Sequence, residues 1–131
     1  MEVKCRVISK GAAEGEVLLS KQGLSFYGSV DCDSGVVTEK GSDIEGKSVA
    51  GKILVFPQGK GSTVGSYTLY RLKKNGVAPA AIINNECETI CAVGGIISGI
   101  PVVDKPEKDV FALLKNEQKI KVDAVKGVIT F

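Results

Sequence analysis

The chain opens on an alternation of apolar and charged positions. Across Glu2–Ser9, Val3, Cys5 and Val7 share one face while Lys4 and Arg6 take the other, which predicts a half-exposed strand. Glu16–Ser20 and Leu24–Tyr27 predict two further short strands, divided by a Lys21-Gln22-Gly23 turn. Asp31–Gly35 is polar and turn-like, and Val36–Thr38 suits another short strand. The pattern then changes. Lys52-Ile53-Leu54-Val55-Phe56 loses the alternation and stops at Pro57, as expected of a strand buried on both faces. Ala80–Asn84 and Ile100–Val103 carry the same signature. A helix is predicted from a Ser62 N-cap to about Lys74, with Arg71, Lys73 and Lys74 in its last turn and Asn75-Gly76 as its stop. Thr89–Ser98 fits either a glycine-interrupted helix or a turn-rich connection. Asp109–Lys115 predicts a short helix, Lys119–Val125 an edge strand and Gly127–Phe131 a last strand. Antiparallel-looking strands followed by β–α–β–α–β predict one α/β domain over residues 1–131, with a parallel sheet and a second β layer.

Composition removes several functions. Aromatic residues are 5% of the chain and Trp is absent, so base stacking has few platforms. A net charge of +2 leaves no electrostatic footprint for nucleic acid. The longest apolar stretch, near Ile90–Ile97, is broken by Gly94 and Gly95 and falls short of the ~20 residues of a membrane span. Met1–Arg6 does not resemble a secretory leader, so a soluble cytoplasmic domain without a membrane or nucleic-acid partner is expected. There is no histidine, which excludes any Ser–His, Cys–His or His–metal site built from this chain alone. Cys5, Cys32, Cys87 and Cys91 lack metal-site spacing and read as free thiols, so this chain is expected to bind no metal or cofactor by itself.

Candidate chemistry gathers at Gly59-Lys60-Gly61-Ser62-Thr63, between a buried strand and a helix. Glycines allow a ligand close to the backbone, and a helix N-terminus presents unpaired N–H groups. Lys60, Thr63 and Ser66 add donors, so Gly59, Lys60, Gly61, Thr63 and Ser66 form a candidate anion site. The Walker pattern fails because Leu54 stands at its first glycine, and the dinucleotide fingerprint fails on spacing. Glu86, about 20 residues on, keeps a nucleotide reading open. Asp31, Asp33, Glu86 and Glu88 read as solvated turn residues, and Tyr67 and Tyr70 as packing residues. An enzyme, a phosphate- or nucleotide-binding module and an interaction domain with a plain glycine turn all fit these residues.

Longer motifs carry a resemblance. Gly28-Ser-Val-Asp-Cys-Asp-Ser-Gly35, Gly46-Lys-Ser-Val-Ala-Gly-Lys-Ile-Leu-Val-Phe-Pro57, Gly59-Lys-Gly-Ser-Thr63 with Ser66, Gly76-Val-Ala-Pro-Ala-Ala-Ile82 and Gly99-Ile-Pro-Val-Val103 together resemble the small subunits of aconitase X–type hydro-lyases, in their phosphomevalonate branch. The resemblance spans nearly the whole chain. It implies the swivelling β/β/α domain that corresponds to the mobile C-terminal domain of aconitases. It implies a larger partner subunit carrying a 4Fe-4S iron–sulfur cluster, and a small phosphorylated hydroxy acid as substrate. The implied reaction is dehydration of (R)-5-phosphomevalonate to trans-anhydromevalonate 5-phosphate, on a modified mevalonate route to isoprenoids. A hydroxyproline-type substrate is the alternative within the family. The family's proton acceptor is the serine of this glycine-rich element, which falls on Ser62. A lone serine is a weak base, so Ser62 would need its alkoxide stabilised by helix N–H groups, Lys60 and a closed interface, and the chain alone is expected to be inert.

Overall fold

The computed structural model describes residues 1–60 and 64–131. Eight strands form one sheet: β1 (Glu2–Lys4), β2 (Arg6–Ser9), β3 (Ala12–Leu19), β4 (Ile53–Val55), β5 (Ala81–Ile83), β6 (Val102–Asp104), β7 (Lys119–Asp123) and β8 (Val128–Thr130). Their spatial order is β1-β8-β7-β3-β4-β5-β6-β2. The centre, β3 to β6, is parallel, while β7, β8 and β1 on one side and β2 on the other are antiparallel to their neighbours. Among the described residues three helices connect them: α1 (Gly65–Lys74), α2 (Thr89–Ser98) and α3 (Val110–Leu113). None of the described helices is long and apolar enough to cross a membrane.

The apolar runs without alternation serve two cores at once. In β4, Ile53 and Val55 point into one cluster with Val17, Ala81, Ile83, Val103 and Ile129, while Leu54 points into the other with Leu69, Leu72, Ile82 and Val102. All three β4 residues are fully buried. Helices α1 and α2 cover the second cluster, and the irregular 24–49 segment packs there through Leu24, Phe26, Val37, Ile44 and Val49.

The N-terminal alternation is one extended stretch that serves two places. It changes partners at Cys5: β1 pairs with β8, and β2 pairs with β6. Because β1 and β2 stand at opposite ends of the strand order yet are joined by a single residue, the sheet curls until its ends meet on this stretch. Cys5 N–H itself donates to Gly127 O at 2.9 Å.

Four expectations are corrected. Leu24–Tyr27 is no strand; Leu24 makes one isolated bridge, to Gly59. Val36 and Val37 likewise make isolated bridges, to Ser48 and Val30. Lys119–Asp123 is not an edge, for β7 lies between β3 and β8. Helix α1 begins at Gly65 with Val64 in the cap position, later than predicted, and Ser62 lies outside the described residues.

Candidate functional site

The site starts where β4 ends. Pro57 turns the chain, and Gln58–Lys60 lies beside Leu24: Leu24 N–H donates to Gln58 O at 3.2 Å, and Lys60 N–H donates to Leu24 O at 3.0 Å. Gly59, between these bonds, backs onto the first turn of α2. A methyl group there would stand 2.9 Å from Cys91 Sγ and closer still to Glu88 Oε1, so no side chain fits. Lys60 extends outward with Nζ 3.6 Å from Glu39 Oε1. Both groups are solvated enough that this pair is worth only about 0–1 kcal/mol, and it leaves Lys60 available to an incoming anion. Gly61, Ser62 and Thr63 lie outside the described residues.

Helix α1 begins at Gly65. Its first turn holds no acidic residue, and Val64, at its cap, has no side chain that accepts a hydrogen bond. Arg71, Lys73 and Lys74 lie in its last turn, where they suit the dipole. The start of α2 differs. Glu88 Oε2 accepts from Ile90 N–H at 2.7 Å and Oε1 from Cys91 N–H at 2.9 Å. Of the two neighbouring helix starts, then, α2 is closed by its own carboxylate, and α1 carries no acid in its first turn.

The candidate residues divide. Gly59 sits against the first turn of α2, and Lys60 reaches toward Glu39. Ser66 does not act as an anion donor through its side chain: its hydroxyl is buried and donates to Ile90 O at 2.9 Å. The reason is packing, since Gly94 lets α2 approach so closely that a methyl on it would stand 3.3 Å from Ser66 Cα. Asp31 closes its own turn by accepting from Asp33 N–H and Ser34 Oγ, and those bonds hold its carboxyl below the usual range. That turn is tied to the far end of α1, where Asn75 Nδ2 donates to Cys32 O. Tyr67 is exposed, not a packing residue; with Thr89, Ile90, Val93 and Ile97 it borders a groove of about 330 Å³ between α1 and α2.

Glu88, read from the sequence as a solvated turn residue, is instead the cap of α2. Glutamate ranks below Ser, Thr, Asp and Asn as a cap, and Thr89 next to it is the better match. All four cysteines are free. Burial above all, then Glu88, raises the Cys91 thiol far beyond its ordinary range, and burial followed by the Glu88 and Asp104 charges pushes Cys87 up to about 12. Among the described residues no three Cys, Asp or Glu side chains gather as a metal ligand set.

Known proteins resemble this chain in sequence and in fold. The family model for the aconitase X swivel domain matches residues 2–131. The chain is 55% identical over 129 residues to the phosphomevalonate dehydratase small subunit of Methanococcoides burtonii, covering 98% of this chain and 94% of that one. It is 56% identical to the protein of the same name from Thermococcus kodakarensis, covering 98% and 95%. A crystal structure of Thermococcus kodakaraensis aconitase X in its holo-form superposes with a TM-score of 0.94 at 56% identity, over 99% of this chain and 97% of that one.

Proposed function

The chain belongs to the aconitase X swivel-domain family, and on that premise we propose that it is the small subunit of a phosphomevalonate dehydratase. In this reading it joins a larger subunit, and the complex removes water from (R)-5-phosphomevalonate to give trans-anhydromevalonate 5-phosphate. Full-length similarity to small subunits of that name supports the reaction class. The geometric observation that carries the reading is the start of α1. It is a ten-residue helix with no acidic residue in its first turn, immediately after the Gly59–Lys60 turn and beside a second helix whose start is already filled by Glu88.

The chemistry assigned to this chain follows. Lys60 and the start of α1 attract an anionic group of the substrate. Ser62 accepts the carbon-bound proton as the hydroxyl departs. A serine does this only where its oxyanion is held by oriented donors and kept from bulk water. The large subunit supplies the enclosure. The exposed Tyr67, Val93 and Ile97, beside the site, are the kind of apolar surface a subunit contact covers. The iron–sulfur cluster of this reading is assigned to the large subunit. This chain's donors do not fit one: Cys91 is fully buried against Gly59 and engaged by Glu88, and among the described residues no ligand set accompanies it.

Reconstitution with the large subunit tests the proposal. The complex should dehydrate 5-phosphomevalonate and this chain alone should not. Ser62→Ala should assemble normally and lose about a thousandfold or more in kcat, as loss of an essential proton acceptor does. Near-normal turnover by that variant would overturn the base assignment.

A further inference from the structure

The first turn of α2 holds both described ends of the segment that carries Ser62. At the entry, Gly59 rests against the Glu88 carboxylate and the Cys91 thiol with no room for a methyl between them. At the exit, Ser66 Oγ donates to Ile90 O at 2.9 Å, and a methyl on Gly65 would stand 2.9 Å from Ile90 Cγ2. Glu88 connects the two. Its oxygens accept from the amides of Ile90 and Cys91, the residues that meet the exit and the entry. It is anchored from behind: Asp104, fully buried at the end of β6, accepts from Cys87 N–H at 2.8 Å. Arg6 grips the same carboxylate through two bonds, of 2.8 and 2.7 Å. The line from β2 through Asp104 and Glu88 to Gly59 consists of short, part-buried contacts.

We propose that Glu88 is a positioning residue for the dehydration: its carboxylate clasps the entry of the Ser62 segment and fixes the helical turn that clasps its exit. The inference rests on the assignment of Ser62 as proton acceptor. It gives Glu88 two separable duties, capping α2 and seating Gly59.

Aspartate separates them. Asp caps helices well, so Glu88→Asp keeps the start of α2, but its shorter side chain withdraws the carboxylate from Gly59. In the purified complex with the large subunit, Glu88→Asp should lower kcat for 5-phosphomevalonate about 10–100-fold while KM changes less than about threefold, the split expected of displaced chemistry rather than lost binding. Gly59→Ala approaches the same contact from the other side and should lower kcat comparably. The double variant should regain at least about fivefold over Gly59→Ala, because Asp removes the closer of the two obstacles to the new methyl and leaves only the Cys91 thiol to give way. Melting and gel filtration of the same samples report assembly. A wild-type kcat for Glu88→Asp, in a complex where Ser62→Ala is inactive, overturns the clasp and leaves the Ser62 assignment intact. Activity lost only in step with assembly, without recovery in the double variant, also overturns it, since Glu88 would then be a cap alone. An active Ser62→Ala overturns the Ser62 assignment, and the clasp with it.

Discussion

Helices α1 and α2 are matched in length and setting. Each runs ten residues, each joins two parallel strands of one sheet, and they pack against each other through Gly65, Ser66 and Leu69 on one and Ile90 and Gly94 on the other. Their starts are opposites. Glu88 fills the N-terminus of α2 with a carboxylate, whereas α1 carries no acid in its first turn. Side chains set the difference: a single glutamate occupies one helix start, and no acid stands in the first turn of the other.

The hardest blow to this contrast is to close the open end. Val64→Asp places a carboxylate at the start of α1. In the complex it should lower kcat/KM about 30–100-fold through repulsion of an anionic substrate, while capping leaves the melting temperature unchanged or higher. Unchanged kinetics would remove the α1 terminus from the site. Opening the closed end comes next. Glu88→Ala leaves two amides of α2 without their acceptor and should destabilise the isolated chain by about 1–2 kcal/mol in urea titrations. Ser66→Ala should cost about 1 kcal/mol from the lost bond to Ile90 O and leave KM within about twofold, since that hydroxyl serves packing. A large rise in KM would return Ser66 to the anion site.

The smaller effects sharpen the picture electrostatically. The Glu88 charge is among the causes that raise the Cys87 thiol pKa, to about 12, so removing that charge lowers the pKa and increases the thiolate present at any pH below it. Glu88→Gln should therefore speed iodoacetamide labelling of Cys87 at pH 8 about threefold, read by peptide mass. Smallest of all, Glu39→Gln releases Lys60 from its surface pair; KM should fall about twofold, with stability within about 0.5 kcal/mol of wild type.

The parallel centre of the sheet was legible because burial on both faces writes itself as an apolar run, and Lys52–Phe56 and Ala80–Asn84 have no other good use. Gly59 and Lys60 were legible through their place between such a run and a helix. Other features depend on partners that local pattern does not contain. The alternation in Lys119–Asp123 reports one covered face but not which edges are paired, so an interior strand looked like an edge. Leu24–Tyr27 has strand-like residues, yet the neighbour beside it is the Gln58–Lys60 turn, which offers Leu24 a single bridge. Ser66 looked like a ligand donor because its orientation is set by Gly94, 28 positions on. Tyr67 looked like packing, and its exposure follows from α1 burying Leu69 and Leu72 instead.

The split N-terminal stretch has a consequence for the order of folding. Val3 pairs with Ile129, and Val7 with Val103, so both halves of this stretch find their neighbours far along the chain. The β3–β4–α1–β5–α2–β6 portion can assemble from nearer contacts while both ends of the sheet wait. Until the antiparallel strands dock, that portion holds an unpaired strand edge on either side, and the split stretch closes both ends of the sheet together.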